Sequence, residues 1–171
     1  EGLALAFNVA AMLIAFIALV AMLDGGLAAI TGAIGLPVIT FQKIAGWLFY
    51  PFAWIMGVPT EDCGFVGQLL GQKIVLNEFV AYGTLSTALT TGAVPISARA
   101  VLIASYALSG FANVGSIGIQ IGGIGSLAPE RRGDVARLGA LAVVAGSIAT
   151  FMTACIAAVL GLVAHRRRVV G

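Results

Sequence analysis

The stretch ALSGFANVGSIGIQIGGIG, Ala107 to Gly125, is apolar enough for a membrane, yet it carries an Asn, a Gln and a glycine at almost every turn. A helix that only crossed lipid would not be weakened in its middle and made polar there. The glycines Gly110, Gly115 and Gly118 each cost about 1 kcal/mol of helix propensity relative to Ala. Asn113 can bond its own backbone and compete with the helical ladder. Ser97 to Leu127 therefore reads as a discontinuous helix. Its first half starts at a Ser97 cap, its second runs from about Ile117 to Leu127, and an unwound link lies at Phe111 to Ser116. Irregular backbone at membrane depth is tolerated where it is buried in protein or lines a wet cavity.

The surroundings support a bilayer. The chain has 171 residues, 60% of them hydrophobic and 9% charged, and a mean hydropathy of +1.08. A soluble domain is about 25% charged, so this chain has little to offer a wet surface. Each crossing needs about 20 apolar residues, which leaves room for about four passes with their connections. The chain opens at Glu1 and enters an apolar run without a basic segment or a small-residue cleavage site, so it does not read as a signal peptide. It reads as a piece of a longer protein.

Gly2 to Leu23 is apolar except for Asn8 and is long enough to span, with Asp24-Gly25-Gly26 expected to end it. Asn8 itself is expected to make a bond between helices. Gly26 to Pro37 is small and Gly-rich and reads as a connection or interfacial turn. Phe41 to Val58 crowds Trp47, Phe49, Tyr50, Phe52 and Trp54 around Pro51. Trp and Tyr favour the headgroup level, so an interfacial helix is expected there, with a kinked span as the alternative. Thr60 is expected to cap a short helix from about Cys63 to Val75, with Glu61 and Asp62 at its positive end. A second short run, Phe79 to Leu89, follows and closes at Gly92 to Pro95. Neither run spans alone, which predicts a re-entrant helical hairpin over about 62–90 with its tip near Asn77 and Glu78. The last helix is expected over about 135–164, capped by Asp134, with Gly139, Ala142, Ala145, Gly146 and Ala149 at close-packing spacing. The fold class is thus an all-α integral membrane protein. Residues 1–60 form a scaffold helix plus an interfacial helix, and 61–171 belong to a transport domain.

Glu78 is the sharpest chemical signal. An acid at the bilayer centre costs about 2.5 kcal/mol or more and marks a functional site by default. A salt bridge to Lys73, five residues back, is the structural alternative. Asn113 and Ser116 supply an amide and a hydroxyl suited to sugar hydroxyls, or to helix–helix contacts. Phe111 can pack a flat ligand or fill core. Asn77, Lys73 and Gln120 are possible supporting residues, Gln120 more in keeping with a bond between helices. No catalytic set is legible, because His165, the single histidine, sits in the tail beside Arg166, Arg167 and Arg168. An enzyme is not expected, nor is a nucleic-acid partner, since neither basic cluster is interleaved with aromatics. Cys63 and Cys155 read as small buried residues, not as a disulfide or a metal site. The basic loop at Arg131, Arg132 and Arg137 belongs in the cytoplasm by the positive-inside rule, which conflicts with the basic tail after the last helix.

GQKIVLNEFVAY, YALSGFANVGSIGIQIGGIGSLAPERRGDVARLG and MTACIA closely resemble the C-terminal half of the concentrative nucleoside transporters, and the likeness runs over nearly the whole chain. It implies a homotrimeric secondary transporter of the plasma (bacterial inner) membrane that imports nucleosides by symport with Na+ or H+ and alternating access. It implies that Glu78, Asn113 and Ser116 bind ribose hydroxyls and that Phe111 packs against the nucleoside. It implies no cofactor and no metal held within this chain. The nucleobase contacts and most ligands of the coupling ion would lie in an N-terminal half outside these residues. Two departures stand beside the site: Ser109 where the family often has Cys, and Gly115 where it often has Ser. The alternative is a non-transporting membrane binding or scaffold protein of the same fold.

Overall fold

The computed structural model describes residues 2–170. The side chains of Asn8, His165 and Arg166 to Arg168, for which the sequence carries expectations, lie outside the described ones. Among the described residues every regular element is helical. Seven α-helices follow in order: α1 Gly2–Ala33, α2 Phe41–Ile55, α3 Cys63–Val75, α4 Glu78–Thr91, α5 Ala98–Leu108, α6 Val114–Leu127 and α7 Arg132–Val170, with a 3-10 turn at Pro129–Arg131 before α7.

Helix α1 corrects the first expectation. It does not stop at Asp24-Gly25-Gly26 but continues to Ala33. The Asp24 carboxylate, read as part of a stop, instead accepts the Phe41 N–H at the start of α2. The helix ends where a glycine takes a left-handed conformation, Gly35 at φ 71, with Leu36 N–H donating back to the Thr31 carbonyl at 2.9 Å. That is a glycine-terminated C-cap, nine residues beyond the expected stop.

Helix α2 starts at Thr40, whose hydroxyl accepts the Lys43 N–H at 3.3 Å. It passes through Pro51 without a break. Proline removes one ladder bond, and packing on α3 offsets that loss. The two backbones nearly touch. A Cβ built on Gly67 would fall 2.6 Å from the Gly46 carbonyl oxygen, and one on Gly71 would fall 2.2 Å from the Ala45 Cβ. Trp47 and Trp54 point outward.

The start of α3 is a second correction. Asp62, not Thr60, is its N-cap residue, and Asp62 makes no side-chain cap bond. Thr60 bonds its neighbour Glu61. The buried Asp62 carboxylate accepts both the Ser97 hydroxyl at 2.6 Å and the Ser97 N–H at 3.3 Å. Ser97 in turn caps α5 as expected, accepting the Ala100 N–H at 3.2 Å. One carboxylate thus joins the starts of α3 and α5. Arg99 ties the same region to the turn after α2 and to α7 through the carbonyls of Gly57 and Ala158.

The buried core lies where α3, α4 and α5 meet the end of α2 and the outer half of α7. Val66, Leu69, Leu70, Ile103 and Leu108 are fully enclosed there. Cys63 is part of this core and Cys155 is half-buried beside it, both as free thiols. Helix α7 begins three residues before the expected start and extends six beyond the expected end. Asp134 sits in its first turn, paired with Arg131 at 2.7 Å. The small residues of α7 serve close approach. A Cβ on Gly139 would meet the Ile117 side chain of α6 at 2.7 Å, and one on Gly146 would meet the Ala112 Cβ at 3.0 Å. Among the described residues one segment, Pro129–Leu162, is long and apolar enough to cross a membrane.

Candidate functional site

Two helix breaks come together. The first separates α3 from α4 at Leu76-Asn77, and the second separates α5 from α6 at residues 109–113. The second lies slightly before the expected link, so Ser116 belongs to the first turn of α6. Each new helix is restarted by an asparagine in extended backbone. Asn77 accepts the Val80 N–H at 2.9 Å, and Asn113 accepts the Ser116 N–H at 2.8 Å. An Asn side chain in this place satisfies a donor that the helix leaves open.

Glu78 is the first residue of α4, so its carboxylate stands at the positive end of that helix. It is half-buried. Asn113 Nδ2 donates to Glu78 Oε2 at 3.1 Å. Asn113 is 5% exposed, and its amide does two jobs: the oxygen caps α6 while the nitrogen holds the acid. Ser116 completes the knot, donating to the Phe111 carbonyl at 2.8 Å and lying 2.9 Å from Asn113 Oδ1. A carboxylate, an amide and a hydroxyl thus converge where two helix N-termini meet. A carboxylate with spare lone pairs accepts hydroxyl protons, and an amide offers both a donor and an acceptor.

The expected residues do not all gather equally. Phe111 contributes its carbonyl to the knot, while its ring is 75% exposed. With Ser116, Ile117, Gly139 and Val143, Phe111 and the exposed Gln120 line a cavity of about 160 Å³ between α6 and α7. Asn77 is a helix cap. Gly115 lies beside the knot, and a Cβ there would sit 3.3 Å from Asn113 Oδ1. Ser109 ends α5 and bonds the Tyr106 carbonyl at 2.8 Å.

Lys73 does not pair with Glu78. It is fully enclosed, and its ammonium donates to the Ala107 carbonyl at 2.8 Å and to the Thr150 hydroxyl at 3.0 Å. The Phe151 ring centroid lies 5.7 Å away. Sequence reasoning singled out neither Ala107 nor Thr150, because a backbone carbonyl and one threonine in an apolar helix carry no local signal. Among the described residues no cluster of three His, Cys, Asp or Glu is placed to hold a metal ion.

The comparisons with known proteins point to a family of membrane transporters. Residues 1–158 match the family described as Na+ dependent nucleoside transporter C-terminus, and this chain belongs to that family. YutK, an uncharacterized transporter of Bacillus subtilis, is 46% identical over 156 residues, which cover 91% of this chain and 38% of YutK. Human Solute carrier family 28 member 3 is 41% identical over 94% of this chain and 25% of its own length. Pig Sodium/nucleoside cotransporter 1 is 40% identical over 90% of this chain and 25% of its own length. Among solved structures, a variant of CNTnw in an intermediate state superposes with a TM-score of 0.85 at 48% identity, covering 91% of this chain and 38% of that one. CNTnw in an inward-facing substrate-bound state gives 0.82 at 49% identity, covering 90% of this chain and 37% of that one. The chain spans between a quarter and two fifths of these relatives. The family is one of transporters, not of enzymes.

Proposed function

We propose that this chain supplies the ribose-binding half of the substrate site in a nucleoside importer driven by cation symport. The observation that carries the reading is the bond from Asn113 to Glu78 at the meeting of two capped helix starts. Free carboxylate lone pairs and an amide held rigidly at this point suit the vicinal hydroxyls of a ribose. Ser116 adds a hydroxyl, and the exposed Phe111 ring is available to lie against the nucleoside. The names of the pig relative and of the matching family support nucleoside as cargo and Na+ as coupling ion. A proton is the alternative ion, and most ion ligands would lie outside this chain.

Helix lengths support the membrane arrangement. At 1.5 Å per residue, α3, α4, α5 and α6 are each about 16–21 Å long against a hydrocarbon core of about 30 Å. None crosses alone. The α3–α4 pair then forms a re-entrant hairpin, and α5–α6 forms one helix interrupted at the midplane, as secondary transporters build their sites. Helices α1 and α7, about 48 and 58 Å long by the same rise, are the long spans. Helix α2, with its exposed tryptophans, lies at the interface. The assembly is a homotrimer in the plasma membrane, bacterial inner membrane in a bacterium, and works by alternating access.

The test is uptake of radiolabelled uridine by the full-length protein in vesicles under an imposed sodium gradient, then under a proton gradient. Accumulation that follows one gradient supports the symporter and names its ion. A folded protein that accumulates nothing under either would overturn the reading in favour of a non-transporting relative or another cargo.

A further inference from the structure

Lys73 is 0% exposed. Its ammonium is enclosed by this chain's own helices. Its partners among the described residues are the Ala107 carbonyl on α5, the Thr150 hydroxyl on α7 and the face of Phe151. Among the described residues no carboxylate lies within ion-pair distance of it. A buried charge without a counter-ion is costly, and a methionine would fill the space without that cost. The charge therefore has a task beyond packing.

Ala107 is the penultimate residue of α5. The backbone stops being helical just beyond it, so the carbonyls at this end lack their usual donors and carry the negative end of the helix dipole. In transporters with broken helices, such carbonyl ends hold mobile cations. Here a cation tethered to α3 fills the place. The Lys73–Ala107 bond lies on the near side of both breaks, and the Glu78–Asn113 bond lies just beyond them. The two bonds clamp the same pair of breaks from opposite sides.

We propose that Lys73 is a positioning residue, a built-in cation that fixes the carbonyl end of α5 against α3 and α7 and so sets the link through which Asn113 meets Glu78. This rests on the ribose-site reading above.

Two variants of the full-length protein test it. Lys73→Met removes the charge. Thr150→Val removes only the hydroxyl and keeps the methyl against Gly110, where a Cβ would fall 2.3 Å from Thr150 Cγ2. Uridine KM and Vmax are measured per folded trimer beside the wild type and Glu78→Gln. The expected result is a KM raised about tenfold in Lys73→Met and about threefold in Thr150→Val, with Vmax changed less than about twofold. Should Lys73→Met fail to fold, Thr150→Val decides. Wild-type KM in the folded variants, or a loss confined to Vmax or to the amount of folded protein, overturns the positioning role while the Glu78 control keeps the ribose reading standing. A wild type that takes up no uridine overturns both.

Discussion

The two helix breaks use one device for two ends. At each, an asparagine in extended backbone caps the helix that follows, Asn77 for α4 and Asn113 for α6, with nearly equal bonds of 2.9 and 2.8 Å. The first break is two residues long and the second five. At the first, the cap is the single side-chain bond found for Asn77 among the described residues, and the next residue is the acid, Glu78. At the second, the capping residue also reaches a carboxylate, because the Asn113 amide nitrogen donates to Glu78. A cap that only restarts a helix leaves its amide unused. A cap within reach of a carboxylate is the arrangement proposed above to bind ribose hydroxyls. The bonds from Asn113 and Ser116 to the Phe111 carbonyl fix the shape of the longer break.

Substitutions at the three residues separate these roles. Glu78→Gln is expected to have the largest effect. It keeps an acceptor for Asn113 but removes the charge proposed to receive substrate hydroxyls, weakening uridine affinity by about 2–3 kcal/mol, roughly 30- to 150-fold. Competition binding on the full-length protein reads this directly, and unchanged affinity would remove Glu78 from the site. Asn113→Ala comes next. It takes away a helix cap and the partner of Glu78 together, which predicts about 1 kcal/mol of lost stability with roughly a tenfold rise in KM. Thermal unfolding in detergent and uptake kinetics measure the two losses separately. Asn77→Ala is expected to be the mildest. It costs about 1 kcal/mol of stability through the cap and leaves uridine KM within about twofold. A KM rise matching that of Asn113→Ala would erase the distinction between the two breaks.

The breaks were legible in the sequence because their causes are local. Glycines, asparagines and capping side chains act within a few residues, so α3 and the restart at Glu78 fall within a residue or two of expectation. What was not legible depends on partners far along the chain. Asp24 reads as a stop signal, yet its carboxylate is taken by Phe41, seventeen residues on, and α1 continues. Thr60 has the chemistry of a cap, but the neighbouring Asp62 is engaged by Ser97. Lys73 and Glu78 look like a pair at short spacing. The true partner of Lys73 on α7 lies 77 residues away, and that of Glu78 lies 35 residues away. That Glu78 and Asn113 stand together was implied by the family resemblance; the bond between them, and the cap that Asn113 provides, required the fold.

The most direct test of the account is equilibrium binding of uridine and of 2′,3′-dideoxyuridine to the full-length protein, in the wild type and in Glu78→Gln. The wild type is expected to bind uridine far more tightly than the dideoxy analogue, and Glu78→Gln to bind both weakly with little preference. Equal binding of the two nucleosides by the wild type would show that the Glu78–Asn113 pair does not read the ribose hydroxyls.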